Sequence, residues 1–353
     1  MRWGRTLVGL GLSMLVCSGA LAAFRVGNLV VVPTAASTPG LYGSNWHTDL
    51  EIMNVDSVDV DVQVVLLQCC GVSNVTWFED IKNSLGGRES DGFGKIDTKL
   101  AGIKPGQAVY LNDVVNFAWG ENVKGTLLIF GYEAGTLTTT TPQGGKPKLI
   151  LVNSRTYSLG TNADNARTTF GTQVPGVPWY DYIDPAQKTN GYDSATFTGL
   201  TETTEYRTAI GIINVSDKLT YLTVSLTLNA ADGTEIGTQY VQLYPLAMDQ
   251  YDNAIISLFG KTRDDAITGA TLKVSVLSYT TGALIPAPAL MAYVTRMDNT
   301  TNDPVFVEQA YTKELPWDCV YNGKCTATAT SLALGSVPAA RSYLRPPVPG
   351  AVK

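Results

Sequence analysis

The chain is poor in the groups that most enzyme chemistry needs. It has one histidine, His47, in 353 residues. A Ser-His-Asp triad would have to use it, and no G-x-S-x-G elbow accompanies it. His and Cys residues do not occur at zinc-ligand spacing. Glycine-rich phosphate loops of the P-loop or dinucleotide type are missing. Charge is sparse as well: 16% of residues are charged, Asp and Glu (31) outnumber Lys and Arg (25), and the formal net charge is -6. Phosphate backbones need a basic face, so nucleic acid is not an expected partner. The reading is of a non-enzymatic protein.

Apolar runs long enough to cross a membrane, about 20 residues, are also lacking beyond the first residues. The N-terminus has Arg2 and Arg5, an apolar run over Leu7–Val16, and small residues ending in Ala20-Leu21-Ala22. That is the layout of a cleaved secretory signal over residues 1–22. Its removal takes two arginines and leaves 23 - 31 = -8. The expected localisation is secreted, cell-surface or periplasmic, with no transmembrane segment in the mature chain. Four cysteines remain, Cys69, Cys70, Cys319 and Cys325, and export permits their oxidation. Cys319 and Cys325 bracket an Asn322-Gly323 turn, so a local disulfide loop is expected there. The adjacent Cys69 and Cys70 either bond each other or pair elsewhere.

What is plentiful is 44% hydrophobic residues, 34 Gly and 17 Pro, with abundant Thr, Val and Tyr. This is the balance of an all-β protein with many turns. A repeat gives the organisation. Trp46, Thr48, Leu50, Ile52 and Asn54 match Tyr206, Thr208, Ile210, Ile212 and Asn214 at an offset of 160. Each set takes every second residue, so each lies on one side of a strand. The other side carries His47, Asp49 and Glu51 in the first copy and Arg207, Ala209 and Gly211 in the second, read as an outer face. Val62, Val64 and Leu66 then match Leu222, Val224 and Leu226. Further echoes fall at an offset of about 140: Ile103-Lys104-Pro105 with Leu243-Tyr244-Pro245, and Ser154-Arg155 with Thr295-Arg296 at 141. The drop places an insertion in the first copy, at about 69–94, where the second has a hairpin turning at Asp232-Gly233.

Each copy predicts about seven short strands. The expected fold is all-β, two tandem immunoglobulin-like antiparallel β-sandwich domains. The boundaries are residues 1–22 for the signal, 23–168 for the first unit with its inserted loop, 169–312 for a proline- and aromatic-rich linker strand with the second unit, and 313–353 for a cysteine loop and low-complexity tail.

The phrases W-H-T-D-L-E-I-M-N, S-R-T-Y-S, T-T-F-G-T-Q-V-P-G-V-P, E-Y-R-T-A-I-G-I-I-N and R-M-D-N-T-T-N-D-P-V-F-V, in this order over most of residues 29–310, resemble a group of secreted bacterial proteins. Their phrases read W-R-T-D-L-x-L-x-N, S-R-T-Y-N, G-T-F-G-Q, F-R-T-N-L-G-L-x-N and D-N-x-T-x-D-P. The resemblance implies tandem immunoglobulin-like modules on exported proteins, often accessory, with no catalytic residue to carry over. The chain departs from the pattern at His47, where arginine is common, and in the cysteine-bearing insertion.

Two kinds of site are conceivable from residue types. Asp298, Asn302 and Asp303 set oxygen ligands in a short loop of the sort calcium favours, although Asp and Asn are also ordinary turn residues. Asp56, Asp59 and Asp61 form a second acidic cluster, with Asp59 and Asp61 read as outward-facing on one strand. Trp179, Tyr180 and Tyr182 beside prolines, or Trp77 with Phe78 in the insertion, offer aromatic faces for a glycan, or fill a domain junction. The leading expectation is a structural or interaction protein that engages other copies of itself or cell-surface components, by edge strands or the linker. The alternative is a carbohydrate-binding or adhesion module using those aromatics.

Overall fold

The computed structural model describes residues 25–71, 100–136, 145–161, 167–178, 181–216, 221–280 and 289–311. The fold is all-β, with several antiparallel sheets and two short helices. In the first half the strands are β1 (Val26–Gly27), β2 (Leu29–Pro39), β3 (Asn45–Asn54), β4 (Val60–Gln68), β5 (Ala108–Leu111), β6 (Val123–Glu133), β7 (Ile150–Thr161), β8 (Arg167–Pro175) and β9 (Val177–Pro178). In the second they are β10 (Ser194–Glu202), β11 (Tyr206–Asn214), β12 (Tyr221–Asn229), β13 (Glu235–Leu243), β14 (Met248–Tyr251), β15 (Ile267–Thr280), β16 (Leu290–Asp298), β17 (Pro304–Val307) and β18 (Ala310–Tyr311). Helix α1 spans Val114–Trp119 and α2 spans Ala254–Phe259.

The halves repeat strand by strand. In the first, β3 lies between β5 and β7, and β8 flanks β7; in the second, β11 lies between β14 and β16, and β17 flanks β16. Opposite these, β6 sits between β2 and β4, as β15 sits between β10 and β12. The first half forms one nine-stranded sheet, because the last residues of β2, Thr38 and Pro39, cross over to pair with Trp46 and Asn45. The second half stays as separate sheets of five and four strands. Register corrects one echo. Asp49 pairs with Arg155, and its counterpart Ala209 pairs with Thr295. The counterpart of Arg155 is therefore Thr295, one residue before the Arg296 that the sequence match selects. Residues 169–178, read as linker, are strand and bridge of the first half, paired to β7 and β2.

Three apolar clusters separate four stacked layers. Leu50 and Ile52 of β3 face Val62, Val64, Leu127 and Ile129 within the first half. Ile210 and Ile212 face Leu222, Leu226, Leu272 and Val274 within the second. The middle cluster is shared: Leu29, Val31, Leu67, Leu128 and Phe130 of the first half meet Ile213, Met248, Met291 and Tyr293 of the second. Strand pattern follows from this. β12 reads YLTVSLTLN and alternates buried with half-exposed positions, because one face meets water. β4 reads VDVQVVLLQ and is buried at every position but the last, because its layer is covered on both sides.

The repeated phrase has a physical content in both copies. Thr48 and Thr208 are fully buried, and each hydroxyl accepts a hydrogen bond from a backbone N–H on the facing layer, Ala36 at 2.8 Å and Thr201 at 2.9 Å. Asn54 and Asn214 are also fully buried. Asn54 donates through Nδ2 to the carbonyls of Val58 and Ile103, both at 2.7 Å, and accepts from the Asp56 N–H. Asn214 donates to the Tyr244 carbonyl at 2.9 Å and accepts from the Ser216 N–H.

Candidate functional site

The predicted outer face exists in the first half and not in the second. His47, Asp49 and Glu51 of β3 pair with Tyr157, Arg155 and Asn153 of β7, and Glu51 also pairs with Tyr110 of β5. Beyond β7, Arg155 pairs with Gln173 of β8. One open sheet face therefore carries carboxylates, amides, an arginine, a histidine and two tyrosines. A groove of about 340 Å³ runs across it, lined by Asp49, Glu51, Tyr110, Asn153, Arg155 and Gln173.

Asp49 is the buried centre of this face, 7% exposed. It accepts the Tyr110 hydroxyl at 2.8 Å, the Asp113 N–H at 2.9 Å and the Tyr157 hydroxyl at 3.4 Å. Burial, followed by the Asp49 carboxylate, pushes the Tyr157 phenol up to about 12. Burial and the hydrogen bond to Asp49 raise Tyr110 too. Both phenols therefore stay protonated donors. His47 Nδ1 lies 2.9 Å from Asp113 Oδ2, its ring stacks on Tyr157 at 5.8 Å, and the Arg155 guanidinium lies over that same ring at 5.0 Å. Asp113 sits at a positive φ of 46°. Two buried acceptors, Asp113 Oδ1 and Asn153 Oδ1, have no hydrogen-bond partner among the described residues. The Ser hydroxyl nearest the groove, on Ser154, points inward and donates to the Val174 carbonyl, so no nucleophile faces His47 from that position.

The equivalent face of the second half is covered. Arg207, Ala209 and Gly211 are all buried, Arg207 to 1% exposure. This corrects the reading of Arg207 as outer-facing: the middle layers close over it. Arg207 donates to Asn299 Oδ1 and Asn302 Oδ1, both at 2.8 Å. Its guanidinium lies 5.0 Å from the Tyr42 ring centre, and that of Arg263 lies 5.3 Å from the same ring. Tyr42 belongs to a turn of the first half, Leu41–Gly43, and its carbonyl accepts from Asn302 Nδ2 at 3.0 Å. Arg263 also reaches the Tyr42 hydroxyl and stands 3.8 Å from the buried Glu202 carboxylate. The small residues Ala209 and Gly211 are what closure requires; a Cβ on Gly211 would run into the Tyr293 ring.

The loop considered for calcium is part of this clasp. Asp298 Oδ1 accepts the N–H groups of Thr300 and Thr301 at 2.7 and 2.8 Å. Asn302 uses Oδ1 for Arg207 and Nδ2 for Tyr42, and Asp303 accepts the Asp298 N–H through its carbonyl. The side-chain oxygens of Asp298 and Asn302 thus receive donors, as in a capped turn. Among the described residues no group of three or more His, Cys, Asp or Glu side chains could hold a metal ion. Asp61 is likewise not outward-facing; it is 8% exposed and accepts the N–H groups of Gly102 and Gly135, both at 2.7 Å.

Of the aromatics named for glycans, Tyr182 is 2% exposed in the shared cluster, so its ring offers no platform. Trp179, Tyr180 and Trp77 lie outside the described residues, as do Cys319 and Cys325 and most of the insertion. The sulfurs of Cys69 and Cys70 lie against each other at the seam between the halves, where the Gly71 N–H donates to Asp249 at 2.8 Å. Sequence reasoning placed His47, Asp49 and Glu51 on an outer face but missed the groove there, because its other members come from β5, β7 and β8, far apart in the chain. Its one signal was the acidic His47-x-Asp49-x-Glu51 alternation where the second copy has Arg-x-Ala-x-Gly.

No protein-family model matches the chain, and no curated protein matches it. Among solved structures it is similar to a Pleurotus ostreatus lectin in the apo form, at 10% identity and a TM-score of 0.18 over 83% of this chain and 79% of that one. It is also similar to the D431N mutant VP2 protein of infectious bursal disease virus in derived T=1 particles, at 11% identity and a TM-score of 0.20 over 82% of this chain and 70% of that one. Scores this low give no ground for carrying a fold or a function across.

Proposed function

We propose that the protein is an exported, non-enzymatic structural or interaction protein, built of two immunoglobulin-like sandwiches fused face to face, and that it associates with copies of itself through a sheet edge. The observation that carries this reading is β13. It is the last strand of its sheet, with β12 on one side and no described strand on the other. Natural edges are blunted by lysine, proline, bulges or short length. β13 reads EIGTQYVQL: nine residues, one charge, no lysine and no proline, with a single register shift at its start, between Glu235 and Gly237, and regular pairing from there to Leu243. Its Tyr240 is 62% exposed. Such an edge presents unpaired backbone groups that another strand can complete. Export is supported by the signal-like first 22 residues.

The test is native mass. Light scattering after size exclusion on the mature chain is expected to give an assembly larger than one chain. Tyr240→Lys, which places a charge on the exposed edge, is expected to shift that mass toward the monomer. A monomer at every concentration tried, or an assembly unmoved by Tyr240→Lys, would rule out association through β13.

A further inference from the structure

The groove on the first half has a chemistry of its own, independent of any self-association. Its lining is rich in acceptors. The Asp49 carboxylate is fixed by two phenols and a backbone N–H, Glu51 stands exposed beside it, and Asn153 Oδ1 is buried without a partner among the described residues. The lining also has an aromatic face, since Tyr110 is 52% exposed while its hydroxyl is held on Asp49. Arg155 and Gln173 complete the row as exposed donors. Rigid strands carry every one of these residues, so the arrangement is formed before any ligand arrives.

Each class of ligand can be weighed against this lining. An anion would meet Asp49 and Glu51 in a chain whose formal charge is already -6. A cation would meet the Arg155 guanidinium, cross-strand neighbour of Asp49. An apolar ligand would strip water from the exposed Glu51 carboxylate and Gln173 amide without pairing them. A neutral sugar ring satisfies all of them. Its hydroxyls both donate and accept, and its apolar C–H face can lie on an exposed aromatic ring. The groove volume, about 340 Å³, is at the lower end of the range for small-molecule sites.

We propose that the groove bounded by Asp49, Glu51, Tyr110, Asn153, Arg155 and Gln173 binds a neutral saccharide, with the Tyr110 ring as the stacking platform, the exposed Glu51 carboxylate accepting sugar hydroxyls, and Arg155 and Gln173 donating to them. Among the described residues the second half offers no matching groove, because the equivalent face, with Arg207, Ala209 and Gly211, is buried. This assignment goes beyond the structural reading above and does not depend on it.

Calorimetric titration of the mature chain with cellobiose, maltose, mannobiose and N,N′-diacetylchitobiose tests it. At least one of these probes is expected to bind with a stoichiometry of one per chain. Tyr110→Ala should weaken that binding about tenfold or more, and Glu51→Gln should weaken it severalfold. Both positions are exposed, and unchanged circular dichroism and melting would show that the fold survives. Tyr240→Lys, on the far layer, should leave the affinity unaltered while it changes the native mass, which separates this site from the edge. Failure of all four sugars at millimolar concentration, binding that is indifferent to both groove variants, or binding of free arginine or sulfate in their place would each overturn the assignment.

Discussion

Asp298 and Glu202 sit on the same clasp and titrate in opposite senses. The Thr301 N–H, opposed in part by burial and joined by the Thr300 N–H, holds Asp298 below the ordinary aspartate range. Its contribution to stability is complete above the unfolded value of about 3.9 and is lost as pH falls through the lower folded value. Glu202 is fully buried, and burial raises its pKa against the pull of the Thr208 N–H and the nearby arginines. The folded protein therefore keeps this proton longer than the unfolded chain does. Stability declines as pH rises from the unfolded value of about 4.3 through the higher folded value. Urea midpoints measured between about pH 3 and pH 7 should separate the two. Asp298→Asn should reduce the loss on the acid side, and Glu202→Gln should remove the decline on the rising side. Identical pH profiles for wild type and both variants would contradict this account.

At the level of elements, the repeated phrase was legible and its reason was partly hidden. Alternation in residues 46–54 and 206–214 places Leu50, Ile52, Ile210 and Ile212 on the core side, and all four are fully buried. The same pattern puts Thr48, Asn54 and their counterparts on that side without saying why polar groups belong there. The answer lies in partners distant in sequence, Ala36 and Ile103 in one copy, Thr201 and Tyr244 in the other. Asn54→Ala removes the donor from the Val58 and Ile103 carbonyls, and Asn214→Ala removes it from the Tyr244 carbonyl. Each should cost about 1–3 kcal/mol in chemical denaturation. The outer face was harder to read. Ala209 and Gly211 did carry a signal, since small residues replace Asp and Glu where a face is to be covered. The continuous apolar runs in β2, β4 and β6 carried the matching one, since a strand with water on one side alternates.

For the whole molecule, the shared cluster decides how the chain unfolds. Phe130 is 2% exposed in the middle layers, where first-half and second-half side chains interleave. Phe130→Ala should cost about 3–5 kcal/mol. If the halves were independent beads, only one of two transitions would move. The fused cluster leads us to expect a single cooperative transition that shifts as one, observed by calorimetry and by denaturant together. Two separable transitions, one of them untouched by the substitution, would show that the halves fold apart.

One face of an ancestral-looking repeat has thus met two fates. In the second copy it is sealed by its neighbour, and the positions of Arg207, Ala209 and Gly211 are bound by the shapes pressed against them. In the first copy Glu51, Tyr110, Arg155 and Gln173 border open solvent. A library of random variants should feel that difference. Substitutions at the sealed positions would be purged for folding alone, while the exposed Glu51, Tyr110, Arg155 and Gln173 could drift around the fixed Asp49, and so could be re-evolved toward new ligands without unsettling the scaffold.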